Sequence, residues 1–188
     1  AIILHWLIAA LLVSNLWLGL AMGAQHGAAK FNSLQLHQSV GVTILVLSLL
    51  RLGWRLANPP PPEAPGVAHW EKTGSALVHL GFYLIMIGMP LSGWLSVSAR
   101  PTLTPILLYH LGGFHGLPWP HLPIAADLSA TRRKALGGAA ADIHLYLSYG
   151  AYLLIALHLL GALKHQLFNR TPVLPRMLPF LKRRAHSA

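Results

Sequence analysis

Histidine is the residue type in this chain whose number and placement could do chemistry. There are 12 of them, against 4 carboxylates and no cysteine. Several lie inside long apolar runs, where an ionisable side chain is expensive and marks function by default. His144 and His158 are fourteen residues apart. At 3.6 residues per turn they occupy nearly one face of a helix, separated by roughly 21 Å along its axis. Imidazole nitrogen is a good axial ligand for haem iron, and that separation fits two haems stacked across a bilayer, one near each surface. The lack of Cys excludes disulfides, thiolate metal sites, iron–sulfur clusters and covalent haem attachment through C-x-x-C-H. Hydrolytic chemistry is left with few candidate residues.

Each such haem needs a second ligand from another helix at matching depth. With the midpoint of the last apolar run near Tyr152, His144 lies above it and His158 below, each by roughly 10 Å. His37 sits near the outer end of the second run, at the level of His144. His5 sits near the inner end of the first, at the level of His158. Depth therefore pairs His37 with His144 and His5 with His158. Two alternatives share the geometry. His79 falls at a similar inner depth, and His165 is seven residues beyond His158 on the same face. The remaining histidines (His26, His69, His110, His115, His121 and His186) fall in loops or the tail and read as polar interface residues.

The elements that must position these side chains follow from composition. The chain has 188 residues, 54% hydrophobic and 10% charged, with a mean hydropathy of +0.54. A soluble domain carries roughly 25% charged residues, so this chain is too poor in charge to solvate a globule. A spanning helix needs about 20 mostly apolar residues, and four runs qualify, over about 1–22, 34–57, 73–97 and 136–168. The expectation is an all-α integral membrane four-helix bundle, one domain over 1–188. The first run opens at the first residue, mid-pattern and without a basic n-region, so a few residues are expected to precede it. Residues 23–33 read as a short polar loop. Asn58-Pro-Pro-Pro-Pro-Glu-Ala-Pro cannot be helical and reads as a stiff polyproline connector. Pro90 marks a kink in the third span. Residues 100–135, broken by proline and mixed with aromatics, read as a segment lying at the interface.

The net charge of +10 would suggest nucleic acid on a soluble protein. Here most basic residues flank apolar runs, where they set topology and meet anionic lipid, so no nucleic-acid partner is expected. With four spans, the termini and the second loop share one side. That side carries nine basic residues, including Arg51, Arg55 and Lys182–Arg184, against five on the other, Lys30, Arg100 and Arg132–Lys134. The count places both termini in the cytoplasm. Gly41 and Gly161, close after His37 and His158, offer room for a macrocycle to approach the backbone. Arg51 is fourteen residues beyond His37, at the inner haem's depth, where a guanidinium could hold a haem propionate.

These residues resemble the bacterial cytochrome b561 family of four-span dihaem b-type cytochromes. The resemblance is carried by Ala1-Ile2-Ile3-Leu4-His5-Trp6, by His37 through Arg55 with the Pro run after it, by His79 through Gly93, and by His144 with His158 and His165. It implies ligands from the first, second and fourth spans, which map onto His5, His37, His144 and His158, and two non-covalent haems b in a bacterial inner membrane. It also implies electron transfer with ubiquinone and, in one branch, superoxide as the donor. Other members anchor dehydrogenases or hydrogenases, so a partner dehydrogenase or other redox protein is an alternative role. If His5 and His158 take the inner haem, His79 and His165 are left beside it as hydrogen-bond and proton partners for a quinone head group. A histidine-based transporter would require acidic residues within the spans, and only Asp142 lies near one.

Overall fold

The computed structural model describes residues 2–58, 68–100, 104–110, 114–125 and 127–167. The polyproline connector and the basic tail lie largely outside them. Four long helices dominate: α1 (Ile2–Ala21), α2 (Gly27–Ala57), α3 (His69–Ser98) and α4 (Ala130–Leu167), each long and apolar enough to cross a membrane. Their outer surfaces are apolar, with Ile3, Leu84 and Leu160 largely exposed. Water would penalise such a surface and hydrocarbon does not, while each helix satisfies its own backbone polar groups. The protein is a multi-pass membrane bundle.

Three helices begin earlier than their apolar runs, α3 by four residues and the other two by more. α2 starts at Gly27, so most of the expected polar loop is helical and the turn from α1 is only a few residues long. Gly27 makes that turn with φ of 57°, a left-handed conformation that costs glycine little. α4 starts at Ala130, preceded by Ser129, whose Oγ accepts from the Arg132 amide at 3.4 Å. Low hydropathy in these stretches marks the edge of the hydrocarbon, not the end of the helix, since Ala, Lys and Arg are good helix formers in water. α3 continues through Pro90.

α1 packs on α2, α2 on α3, and α3 most extensively on α4. The core joins Ile8, Leu12 and Leu16 of α1 to Ile44 of α2, Ile85, Met86 and Met89 of α3, and Ala151 of α4. Part of the expected interface segment forms a β-hairpin, β1 (Ile106–Leu108) antiparallel to β2 (Leu117–Trp119), with Leu107 opposite Pro118. The Leu107 amide points away from β2 and donates to Gln35 Oε1 at 2.8 Å, while Pro118 opposite it has no N–H that needs a partner. Gln35, fully buried, also donates from Nε2 to the Pro105 carbonyl at 2.9 Å. One α2 carboxamide thus replaces a third strand. Next to it the Tyr109 amide donates to Ser39 Oγ at 2.7 Å, and Trp94 Nε1 donates to the Pro120 carbonyl at 2.9 Å. An isolated two-stranded hairpin is marginal at best; these bonds strap this one to the ends of α2 and α3.

Candidate functional site

Two cavities lie one above the other in the centre of the bundle, with Leu12 and Met86 lining both. The first, about 340 Å³, lies on the hairpin side, where Ile106 and Trp119 close it. His37 of α2 and His144 of α4 face each other across it with ring centroids 5.9 Å apart. An imidazole nitrogen holds a metal ion at about 2.0–2.1 Å, so two rings on opposite sides of one ion have centroids roughly 6 Å apart. The spacing fits.

The hydrogen bonds of these two rings prepare them for such a task. His37 Nδ1 lies 3.2 Å from the carbonyl of Asn15, and His144 Nδ1 lies 2.8 Å from that of Met89. A carbonyl only accepts, so each Nδ1 carries the proton and each Nε2 keeps its lone pair for a metal. Both acceptors sit one turn before a glycine. A Cβ on Gly19 would lie 3.6 Å from the His37 ring, and one on Gly93 would lie 3.1 Å from the His144 ring. The two glycines let an imidazole lie against a neighbouring helix. Sequence reasoning singled out Gly41 and Gly161 for close approach and missed this pair. Gly41, where a Cβ would meet Asn15 at 3.7 Å, lines the same cavity, and the space beside Gly161 is open. The available signal was the repeated spacing of acceptor and glycine in Asn15-x-x-x-Gly19 and Met89-x-x-x-Gly93.

The second cavity, about 530 Å³, lies on the Arg51 side. His158 of α4 meets His5 of α1 at 6.2 Å and His79 of α3 at 5.6 Å, so three imidazoles converge. Their hydrogen bonds differ. His79 Nδ1 donates to the Ser75 carbonyl of its own helix at 2.7 Å. His5 Nδ1 lies 2.9 Å from Arg51 Nη1, and a guanidinium only donates, so here Nδ1 is the acceptor. The side chain expected to reach a propionate is thus placed on the histidine. His165 does not line this cavity. Its neighbour Lys164 pairs with Glu71 and lies over the Trp70 ring at 4.3 Å, tying the end of α4 to the start of α3.

Among the described residues no group of three or more His, Cys, Asp or Glu could hold a metal ion by itself. A haem brings its own four equatorial nitrogens and asks the protein only for axial ligands. Imidazoles paired across apolar cavities suit that division of labour.

A membrane helical bundle with paired imidazoles in central cavities is the architecture of a b-type cytochrome. The comparisons agree: residues 1–180 match the model of the family described as prokaryotic cytochrome b561, and the chain belongs to that family. It is similar to "Cytochrome b561 homolog 2" of Escherichia coli (strain K12), 29% identical over 185 residues that cover 93% of this chain and 86% of the relative. It is also similar to "Probable superoxide oxidase CybB" of Yersinia pestis, 30% identical over 177 residues covering 94% and 92%. A third relative, "Cytochrome b561 homolog 1" of Escherichia coli (strain K12), is 26% identical over 148 residues covering 76% and 73%. The chain is therefore a bacterial membrane protein that binds haem b and transfers electrons.

Proposed function

We propose that this cytochrome holds two haem b groups, one between His37 and His144 and the other between His5 and His158, and passes electrons across the membrane to or from quinone. The observation that carries this reading is the stacking of the two cavities, each crossed by an imidazole pair at 5.9 or 6.2 Å. For the Arg51 side, His5 and His79 lie equally well placed against His158, at 6.2 and 5.6 Å. The choice of His5 rests on the family resemblance, which draws ligands from the first and fourth spans. Binding iron through Nε2 would put the His5 proton on Nδ1 and release Arg51 from it. His79 then remains in the wall of the same cavity without an iron. It is the partner we assign to a quinone head group, which needs polar groups at its carbonyls inside an apolar pocket, with His165, outside the cavity's lining at the end of α4, as the second hydrogen-bond and proton partner.

The haem supplies one-electron storage when bound. The chain's part is to present Nε2 of His37 and His144 by holding their Nδ1 protons on backbone carbonyls, to bury the sites, and to separate them by the Leu12–Met86 layer. The flanking Lys and Arg residues favour an orientation with both termini in the cytoplasm. That puts the hairpin outside and the Arg51 side within. The name of the Yersinia relative supports superoxide as a donor at the outer face. The alternative, a haem-bearing anchor linking a partner dehydrogenase or hydrogenase to the quinone pool, rests on the family resemblance and predicts a co-purifying soluble subunit. A pyridine haemochrome assay with a dithionite-reduced minus oxidised spectrum tests the core of the proposal. Two low-spin b haems per chain are expected; one per chain after full reconstitution, or a stable colourless protein, overturns it.

A further inference from the structure

The hairpin strapped to α2 and α3 is also the roof of the first cavity. Its register sets Ile106 opposite Trp119, and both residues line that cavity. Trp119 is braced by Trp94, with ring centroids 5.6 Å apart, and Trp94 is itself fixed by the bond from its Nε1 to the Pro120 carbonyl at 2.9 Å. Trp119 Nε1 has no such bond. It is buried and meets no acceptor among the described residues. An indole N–H is a donor and nothing else. A buried donor left without an acceptor is costly and uncommon, so each one calls for an explanation. Asn15 Oδ1 and Gln38 Oε1, on two more residues that line this cavity, are also buried without partners. A carboxamide can turn end for end and offer its NH2 group in place of its oxygen. The indole has no such choice, and its N–H needs an acceptor brought from outside the chain.

We propose that Trp119 positions the haem held between His37 and His144, its N–H donating to a propionate carboxylate of that haem, with the hairpin as the frame that keeps the indole in place. The inference rests on the haem assigned above to the hairpin-side cavity. Haem b carries both its carboxylates on one edge of the macrocycle. Charge avoids hydrocarbon and turns toward the membrane surface, so that edge faces the hairpin and not the Leu12–Met86 layer. Among the described residues lining this cavity there is no Lys or Arg. Neutral donors must then do what a guanidinium would do elsewhere. An N–H donated to an ionised carboxylate makes a bond roughly twice as strong as one between neutral groups. Gln38, next in sequence to the ligand His37, adds a second donor when its amide is turned. The strap on Gln35 and Ser39 thereby serves the cofactor as well as the fold.

The test is redox-difference infrared spectroscopy of the full-length holoprotein carrying haem that is isotopically labelled in its propionate carboxyls. The label separates haem carboxylates from the 4 acidic side chains of the chain. Trp119→Phe keeps a ring against Trp94 and removes the N–H, whereas Trp94→Phe disturbs the same packing and keeps it. In Trp119→Phe the haem count should hold while a label-sensitive carboxylate band shifts. The hairpin-side haem should also pass to excess apomyoglobin at least about tenfold faster than in wild type, the scale of a lost hydrogen bond to a charged group. Trp94→Phe should leave that band in its wild-type position, and His144→Ala, which removes the hairpin-side haem, should abolish it. The proposal is overturned if Trp119→Phe moves no label-sensitive band, if Trp94→Phe moves the same band alike, or if the band survives His144→Ala. Should Trp119→Phe lose the haem, hydrogen exchange at the Trp119 indole N–H decides: slower exchange in wild type than in His144→Ala upholds the bond, and equal exchange overturns it. A single haem per chain that His144→Ala abolishes brings down the dihaem reading, and the band shift still decides this inference. Two haems with unmoved bands bring down this inference alone.

Discussion

The His144 ring lies against Gly93 of the neighbouring helix, so close that a Cβ there would sit 3.1 Å from its Cε1 and Nδ1. That contact lets the ring reach the Met89 carbonyl one turn earlier, which fixes its proton on Nδ1. His37 repeats the relationship with Gly19 and the Asn15 carbonyl, less tightly. A ligand histidine in hydrocarbon thus depends on what its neighbour lacks.

Gly93→Ala should therefore loosen the hairpin-side haem. Overpacking of this kind costs about 1–3 kcal/mol, and the ring must tilt away from its acceptor. The expected result is a haem-to-protein ratio falling toward one, with the remaining haem spectrally normal. Gly19→Ala, where the contact would be an ordinary 3.6 Å, should retain more haem than Gly93→Ala. Equal retention in the two variants would contradict the cradle.

Removing a ligand should separate the two sites. His144→Ala is expected to abolish the haem on the hairpin side and leave the other largely intact, and His158→Ala to do the reverse. The readout is the reduced-minus-oxidised spectrum together with the haem count. If either variant keeps both haems low-spin, the pairing is wrong.

The three-histidine cluster around His158 yields a sharper comparison. His5→Ala should lose the Arg51-side haem, while His79→Ala keeps it and slows haem oxidation by added quinone at least roughly tenfold, about 1.4 kcal/mol of transition-state stabilisation. His165→Ala should match His79→Ala. Loss of haem from His79→Ala, with His5→Ala unaffected, would make His79 the axial ligand and move the quinone elsewhere. Unchanged quinone kinetics in both the His79 and His165 variants would move the quinone site to the hairpin side.

Gln35→Leu tests the strap on the hairpin. It leaves the Leu107 amide and the Pro105 carbonyl without their partner, at a cost of about 1–3 kcal/mol for a buried group so stranded. Faster amide exchange at Leu107 and Tyr109 is expected, with the Arg51-side haem unchanged. Wild-type exchange rates in the hairpin would show that other contacts suffice to hold it.

Much of this protein is written along one dimension. Apolar run lengths define four spanning helices, because hydrocarbon thickness divided by the helical rise sets a length that can be counted. The fourteen-residue step from His144 to His158 and the positions of His37 and His5 in their spans determine depth by the same arithmetic, and the structure brings each depth-matched pair together. Depth does not determine rotation of a helix about its axis or where it crosses its neighbours. Hence the sequence could not place His79 beside His158, turn Arg51 onto His5 Nδ1, or seat His144 on Gly93. The hairpin was hidden for a related reason. Its strands are three residues each, too short to show a period, and the partner that stabilises them, Gln35, is seventy-two residues away from Leu107 on a membrane helix. Lateral contacts between distant segments are decided only when the helices pack.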